Sequence, residues 1–225
     1  RISSKKKWLR VHDNNEWKDY YTPENVEDLR RFFDHYLKGE DNGWENTPKV
    51  RFCILNPGGK NILNRVAEDW PLPGVKYQKL YLNGENHSLQ WSPVKAENTC
   101  IYDSDTKKRK VVYRLKVQED FEFCGYIKLR LWVSPLDHND MDLEACMEKL
   151  TLLGISYPDM PTSARRAVGN IRLSLRELDP ERSTEELPYQ TISHIQKVQP
   201  GQIVPVDICI WPMGMKFKKG EVMRL

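Results

Sequence analysis

The sequence predicts a mainly β protein, a jelly-roll type of β-sandwich that is preceded by a short strand-and-helix piece. Two observations predict this fold class. A single clear amphipathic helix occupies residues 22–39, and the helical period disappears after Gly43. From there, short apolar runs alternate with Pro, Gly and Asn, at a spacing typical of roughly eight or nine strands in a sandwich or jelly roll.

The composition excludes several classes of protein. The net charge is +3, from 35 basic and 32 acidic residues, which gives no argument for nucleic-acid or membrane binding. The one basic cluster, residues 107–110, follows acidic residues and is typical of a charged hairpin tip. No apolar run approaches the ~20 residues of a membrane span. The five cysteines are widely spaced and form no CxxC motif, which favours a reducing, cytoplasmic compartment.

The first 45 residues combine a strand at residues 6–11 with the amphipathic helix. Thr22 is a natural N-cap, Pro23 fits the first helical position, and Gly39 supplies the C-terminal stop. The apolar residues that share one helix face are Val26, Leu29, Phe33, Tyr36 and Leu37. A piece of this size cannot bury that face alone. We therefore expect residues 1–45 to be the end of another domain and residues 46–225 to be the sandwich.

The sandwich region carries the predicted strands. They cover residues 50–55, 65–69, 77–82, 111–117, 121–133, 143–150, 171–175, 192–198 and 203–210. In the run 121–133 the side chains alternate, with Tyr126, Lys128, Arg130 and Trp132 on one face and Ile127, Leu129, Leu131 and Val133 on the other. The chain ends inside an apparent strand. We therefore expect a truncated sandwich, whose unpaired edge favours association into a homo-oligomer.

Eight segments in a fixed order resemble a known family. They are WLRVH, RFFDHYLKGEDNGWENTPKVR, DWPLP, KLYLN, MDL, LRELDP, PGQIVPVDICIWP and FKKGEVMRL. This order is similar to the C-terminal part of cocaine esterase-like (CocE/NonD) serine hydrolases, which carry an X-Pro dipeptidyl-peptidase C-terminal domain, and above all to fungal-type members. The resemblance implies that residues 1–45 are the last strand, triad histidine and last helix of an α/β-hydrolase domain. It implies a galactose-binding-like jelly roll for residues 46–225.

The resemblance places His12 at the position of the catalytic histidine. In this role an imidazole takes the proton of a serine hydroxyl and returns it to the leaving group. The sequence contains no G-x-S-x-G elbow, so the resemblance implies that Ser and the orienting Asp lie upstream, in the order Ser, Asp, His. Asp13 is not assigned as the orienting residue, because a sequence neighbour seldom reaches the ring in the needed geometry. Taken alone, His12 would be interpreted as an ordinary loop histidine.

Other candidate site residues carry weaker signals. Trp17 and Tyr20 follow the histidine and are candidates for substrate binding, although they are also suited to covering the last helix against the sandwich. Oxygen-rich loops can bind Ca²⁺, and the acidic segment 137–144 contains Asp137, Asp140, Asp142 and Glu144. The segment lacks the glycine and the final glutamate spacing of an EF-hand. We therefore predict no metal site and no cofactor.

Two classes of function follow. The first is an enzyme: the chain is part of a serine hydrolase that cleaves esters or amides, with X-Pro dipeptidyl substrates among them, by acyl transfer. Its expected partners are a small acyl ester or amide and an N-terminal catalytic half, without which the chain is expected to be inactive. The alternative is a non-catalytic β-sandwich that binds a ligand or glycan through the face of Trp132, or a pseudoenzyme that has lost its upstream Ser or Asp.

Overall fold

The computed structural model describes residues 2–14, 16–106, 110–158 and 166–225. The chain divides into two compact units, Arg1–Val75 and Lys76–Leu225. This division comes later than the predicted boundary between residues 45 and 46, because two strands that follow residue 46 pair within the first unit. The predicted domain origins of the two parts stay predictions. The basic run 107–109 lies outside the described residues. No helix of the described ranges is long and apolar enough to cross a membrane.

The first unit contains a three-stranded sheet and one long helix. Its elements are strand β1 (Leu9–Arg10), helix α1 (Glu16–Asp19), helix α2 (Pro23–Lys38), a 3-10 turn (Trp44–Asn46), strand β2 (Val50–Ile54) and strand β3 (Ile62–Ala67). The sheet order is β1-β2-β3, with β1 parallel to β2 and β2 antiparallel to β3. Alternate residues of β2, Val50, Phe52 and Ile54, are buried, as the two-residue period of a strand requires.

Helix α2 confirms the predicted bounds. Thr22 is the N-cap, Pro23 opens the helix, and Gly39 ends it in the left-handed region with φ 72°. The hydroxyl of Thr22 makes no capping hydrogen bond to the helix and donates instead to the carbonyl oxygen of Asp19, at 3.1 Å. The capping residues therefore predicted the ends of the helix correctly. The hydrogen bond from the Thr22 hydroxyl to Asp19 was not predicted.

The inward face of α2 differs from the predicted apolar face. Val26, Phe33 and Leu37 are exposed, and Leu37 is the most exposed of the three, at 78%. The inward contacts are centred on Phe32, one residue away from the predicted Phe33. Phe32 belongs to an aromatic cluster whose ring centroids lie 5.0–6.2 Å apart and whose other members are Trp8, Tyr36 and Trp44. The 3-10 turn supplies the buried ring of Trp44, and this contact sets which helix face turns inward.

The second unit is a two-layer β structure. Its strands are β4 (Tyr81–Asn83), β5 (Ser88–Gln90), β6 (Arg114–Lys116), β7 (Phe121–Val133), β8 (Asp142–Leu150), β9 (Arg166–Arg172), β10 (Val204–Phe217) and β11 (Val222–Arg224). One sheet has the order β4-β5-β6-β11-β8-β9, and the other pairs β7 with β10. Buried residues from both sheets meet in one core, among them Ala167 and Ile171 of β9 and Val206 and Ile208 of β10. The mainly β prediction is confirmed.

Strand β7 confirms the predicted alternation. Its predicted apolar face, including Ile127, Leu129 and Leu131, packs on the buried core. Gly169 of β9 permits a close approach to β10, because a Cβ at this position would lie 2.4 Å from the carbonyl oxygen of Cys209. A larger residue there would meet backbone, which cannot move aside as a flexible side chain can.

Two predicted strands are wrong. Residues 171–175 were expected to be a strand, but β9 ends at Arg172 and a 3-10 turn, Leu173–Leu175, follows. Residues 192–198, all of which the structure describes, form no strand. Ile192 has a positive φ of 54°, which interrupts extended backbone. The amide of Gln196 donates to the carbonyl oxygen of Ser174, in the 3-10 turn, and the amide of Val198 donates to that of Asn139.

Candidate active site

His12 follows strand β1, with only Val11 between them. The amides of Leu9 and Val11 donate to the carbonyl oxygens of Lys49 and Arg51, both at 2.8 Å. The backbone is therefore held by β2 up to the residue before His12. The histidine side chain is 34% exposed, so one part of the ring is covered and another part faces solvent. This is the strand-end position that the resemblance implied.

The helix is tied to this strand by a charged group that we call the Asp28 clamp, formed by Arg10, Asp28 and Arg51. Asp28 of α2 accepts two hydrogen bonds from Arg51 of β2, at 2.8 and 2.7 Å, and one from Arg10 of β1, at 3.1 Å. Burial raises the pKa of Asp28, but the hydrogen bonds and charge of the two guanidinium groups outweigh it and lower the pKa below its usual range. The clamp fixes α2 beside the end of β1.

The ring of His12 has a carboxylate partner within the chain. Its Nδ1 atom contacts Oδ2 of Asp19, the last residue of α1. Asp13, the sequence neighbour, takes no part and instead accepts a hydrogen bond from the amide of Asn61 at 2.8 Å. Sequence reasoning did not find Asp19, because only the turn of α1 brings it back to the histidine. The assignment of His12 as a catalytic residue stays a prediction at this point.

The predicted substrate-binding residues are exposed. Trp17 lies in α1 and Tyr20 follows this helix, and both side chains are open to solvent. Tyr20 packs edge to face on Tyr21, with ring centroids 5.1 Å apart. Exposed aromatic rings are available to a ligand, but the contact of Trp17 and Tyr20 with a substrate stays a prediction.

Two carboxylates of the acidic segment 137–144, Asp140 and Asp142, have basic partners. Asp140 accepts hydrogen bonds from Lys197 and from the amide of Ser174, both at 2.9 Å, and Asp142 forms a two-bond pair with Arg172. Burial raises the pKa of Asp140, but these partners outweigh it and lower the pKa to about 2. Over the ranges that the structure describes, no group of three His, Cys, Asp or Glu side chains could hold a metal ion.

A serine, a histidine and a glutamate also meet in the second unit, but not as a triad. The hydroxyl of Ser193 and the carboxylate of Glu177 both lie 3.1 Å from the same nitrogen, Nδ1 of His194. A catalytic histidine must use one ring nitrogen for each partner. The thiols are no better candidates, because burial raises the pKa of Cys53 and of Cys209 and keeps them protonated.

A second charged cluster lies inside the second unit. Lys149 of β8 is fully buried, and its Nζ lies 2.8 Å from Glu221 and 2.9 Å from the carbonyl oxygen of Lys216. Burial lowers the pKa of Lys149, although Glu221 opposes this effect. Burial and a hydrogen bond to Glu221 raise the pKa of Tyr157 to about 12. The cluster joins β8, Tyr157 and the turn before β11, and the side chains of Lys149 and Glu221 are 0% and 7% exposed.

Fold and site define a class of protein: a two-layer β domain preceded by a strand, a histidine and a helix. The chain belongs to the family of X-Pro dipeptidyl-peptidase C-terminal non-catalytic domains, whose model matches residues 42–225. His12, with β1, α1 and α2, precedes the matched residues. No curated protein sequence matches the chain.

Solved structures extend the similarity to the first 41 residues. A CocE/NonD family hydrolase from Staphylococcus aureus is 37% identical with a TM-score of 0.91, over 98% of this chain and 40% of that chain. The chain thus spans less than half the length of this relative. An aminopeptidase from a marine sediment Thaumarchaeota archaeon and an α-amino acid ester hydrolase are each 15% identical, with TM-scores of 0.61 and 0.58. Each match covers 87% of this chain. It covers 35% of the aminopeptidase chain and 36% of the ester hydrolase chain. At this identity the two matches show the fold alone. The resemblance to the C-terminal part of CocE/NonD hydrolases is confirmed.

Proposed function

We propose that the chain is the C-terminal part of a serine hydrolase, in which His12 is the general acid and base. The observation that carries this proposal is the position of His12, at the end of a braced strand with Nδ1 against a carboxylate. The similarity to a CocE/NonD hydrolase over both units supports the same assignment. Residues 42–225 would then serve as the non-catalytic domain of the enzyme.

The proposed chemistry is acyl transfer. A serine from upstream residues attacks the carbonyl carbon of an ester or amide while its hydroxyl proton moves to Nε2 of His12. The same nitrogen returns this proton to the leaving alcohol or amine, and a water molecule then repeats the two steps to release the acid. In the family order an upstream aspartate orients the ring. The nucleophile, the oxyanion hole and most of the substrate pocket would belong to the N-terminal catalytic half, so the 225-residue chain alone should be inactive.

The substrate class is a small acyl ester or amide. Names among the similar structures include an aminopeptidase and an ester hydrolase, so both bond types are reasonable first assays. X-Pro dipeptidyl amides form a third group, suggested by the name of the matched domain. Trp17 and Tyr20, which are exposed near the histidine in sequence, are proposed to contact the acyl or leaving group.

The test is substitution of His12 in the complete protein. We expect His12→Ala to lower kcat by about 10³–10⁶-fold, because the proton has no acceptor without the imidazole. His138→Ala is the matched control, since His138 is an exposed histidine of the second unit. Assays with p-nitrophenyl esters and with aminoacyl-prolyl anilides would cover the proposed bonds. If His12→Ala kept activity within twofold of the parent, the assignment would be wrong.

A binding module is the second candidate function, and one observation favours it. The indole of Trp132 is 68% exposed on β7. It lies beside the pair of Arg130 and Asp207, whose two hydrogen bonds are both 2.6 Å long. A flat ring with neighbouring polar groups suits stacking against a sugar. Calorimetry of the chain with a glycan panel, with Trp132→Ala as the comparison, tests this; no binding heat for any glycan would reject it.

A further inference from the structure

A small cavity in the first unit lies between α2, the 3-10 turn and β2. Its volume is about 300 Å³, at the lower end of the range of about 300–1,000 Å³ that small-molecule sites occupy. The polar residues that line it are Asp28 and Arg31 of α2, Asn46 and Thr47 at the end of the 3-10 turn, and Arg51 of β2. A cavity of this size and polarity suits one small polar ligand.

The charge around this cavity is positive. Among the described residues that line it, Asp28 is the one acid, and its carboxylate already accepts hydrogen bonds from Arg51 and Arg10. Arg31 has no ion pair with a carboxylate of the described residues, and its Nη2 atom donates to the carbonyl oxygen of Asn42 at 3.4 Å. Three guanidinium groups therefore share one carboxylate, and this part of the first unit carries a surplus of positive charge.

Buried N–H donors near the cavity have no acceptor. Nε of Arg51 and Nε1 of Trp44 are buried, and neither has a hydrogen-bond partner among the described residues. The ring of Trp44 lies 5.9 Å from the Cζ atom of Arg31 and 6.0 Å from that of Arg51, so the two guanidinium groups converge on one ring. Buried donors are normally paired. Unpaired donors beside surplus positive charge therefore indicate a ligand that accepts hydrogen bonds and carries negative charge.

Neutral donors complete the lining. The side-chain amide of Asn46 and the hydroxyl of Thr47 form no hydrogen bond with the part of the chain that the structure describes, so both are available to a ligand. A guanidinium group matches the geometry of a phosphate or carboxylate, because its N–H groups can donate to two oxygens at once. Amide and hydroxyl donors bind the same oxygens. The lining therefore suits an oxyanion and disfavours a metal cation.

We propose that this cavity binds a small oxyanion, a phosphate or a short carboxylate. Arg31 contributes a guanidinium group that has no carboxylate partner, and Arg51 contributes Nε while its other two nitrogens stay with Asp28. The bound ion would join α2 to β2, the strand that pairs with the one leading into His12. Binding is non-covalent and moves no proton. The proposal does not depend on the proposed function, since it needs neither the histidine nor upstream residues.

The first test is calorimetry of the 225-residue chain with inorganic phosphate and with acetate, in a chloride buffer at constant ionic strength. We expect saturable binding of at least one ion, and the tighter of the two distinguishes phosphate from carboxylate recognition. Arg31→Gln should raise the Kd of that ion by about tenfold or more, because a charge-assisted hydrogen bond is lost. This variant should fold, since Arg31 has no carboxylate partner to strand.

The matched control is Arg30→Gln. It removes the same charge from the neighbouring residue of α2, but Arg30 lies outside the cavity lining and pairs with Glu27 at 2.6 Å. We expect its Kd to stay within about twofold of the parent, because solvent and salt screen a charge that does not touch the ion. If Arg30→Gln weakened binding as much as Arg31→Gln, the general charge of the helix would explain the binding, and the proposed site would be rejected.

The second test locates the ion. Proton–nitrogen NMR of arginine Nε–H groups reports each donor separately, and Nε of Arg51 is the buried donor that the ion should reach. Its resonance should move on addition of the ion that binds and should saturate at the calorimetric Kd. The Nε–H group of Arg30, which donates to Glu27 at 2.8 Å, should stay in place. Saturable binding that leaves Arg51 unmoved would place the ion elsewhere and overturn the proposal.

The outcomes also separate this inference from the proposed function. If neither phosphate nor acetate bound saturably, the oxyanion site would be rejected, and water would be the partner of the buried donors. An inactive His12→Ala in the complete protein would still support the hydrolase assignment in that case. Conversely, ion binding that depends on Arg31 would keep the site even if His12→Ala stayed active.

Discussion

One charged group of the first unit and one of the second lie in contrasting settings. In the first unit, the Asp28 clamp is partly open to solvent, and apolar side chains of α2 such as Phe33 and Leu37 face outward. In the second unit, Lys149 and Glu221 form their pair inside the fold, next to an apolar core. The first arrangement uses charge to fix one element against another. The second seals a charge pair within apolar packing, where removal of either partner leaves the other desolvated.

Because of this difference, salt should act unequally on these two charged groups. Dissolved ions screen charges that solvent reaches and act much less on buried pairs. The contribution of the Asp28 clamp should therefore depend more on ionic strength, and that of the Lys149–Glu221 pair more on whether each buried group has a partner. The following predictions test this contrast.

The largest expected effect is in the buried pair. Lys149→Met leaves the carboxylate of Glu221 buried without its cation, and we expect a loss of about 3–5 kcal/mol in the free energy of unfolding. Urea unfolding followed by circular dichroism measures it. Adding Glu221→Gln removes the stranded charge while it keeps an acceptor for Tyr157, and should recover part of the loss. A single variant as stable as the parent would contradict the description of this pair.

A smaller loss is expected at the clamp. Asp28→Asn leaves two guanidinium groups without their carboxylate, and partial exposure reduces the cost to about 2 kcal/mol. The local measure is hydrogen exchange at the amides of Leu9 and Val11, which should become faster as β1 separates from β2. In 1 M salt the difference between parent and variant should shrink, while the Lys149→Met difference should not. Equal salt sensitivity at both places would remove the contrast.

Acid should weaken the second unit through Asp140. Its pKa is about 2 in the folded chain, below the ordinary value of 3.8. Because a lowered carboxyl pKa stabilises the fold above the unfolded pKa, this contribution is present at neutral pH and is lost as pH falls from about 4 to 2. After solvent screening we expect about 1 kcal/mol. Asp140→Asn should therefore differ from the parent at pH 7, and the difference should shrink as pH falls towards and below about 2. A difference that is constant with pH would show that this carboxylate is not the titrating group.

The smallest effect is expected on the open face of α2. Leu37→Gln should change the unfolding free energy of the chain by less than about 0.5 kcal/mol, since the side chain is already in solvent. Ile208→Val in the core is the comparison and should cost about 1 kcal/mol for a single methylene group. Thermal unfolding of the two variants shows whether the Leu37 side chain is solvent-exposed or packed. A cost for Leu37→Gln equal to that for Ile208→Val would mean that this face is packed.

Local chemistry explains which parts of the fold could be predicted. The bounds of α2 follow from Thr22, Pro23 and Gly39, and the alternation of β7 follows from a period of two, so neighbours in sequence carry both signals. The segment 192–198 has apolar residues, but Ile192 and Ile195 are exposed, and two of its amides donate to residues far away in sequence. The prediction of the inward face of α2 was wrong because that face depends on the contact of Phe32 with Trp44, which lies outside the helix.

The residues around the candidate site also differ in how far the sequence could predict them. His12 was predicted from the order of eight family-like segments, and its catalytic role stays a prediction. Asp19 carried no local signal, because its contact depends on the turn of α1 between the two residues. The Asp28 clamp brings together residues of β1, α2 and β2, and pairing across such distances is not visible in a single sequence.

The parallel pairing of β1 with β2 has a consequence for recombining these proteins. The carbonyl oxygens of Lys49 and Arg51 that brace β1 lie within residues 42–225, the part matched by the non-catalytic family, whereas His12 lies before it. A chimera joined at residue 42, where the family match starts, would take His12 from one parent and strand β2, which pairs with β1, from the other. Compatible parents would need matching backbone register at Leu9↔Val50. A junction placed after residue 75 takes the histidine and the strand that supports it from the same parent.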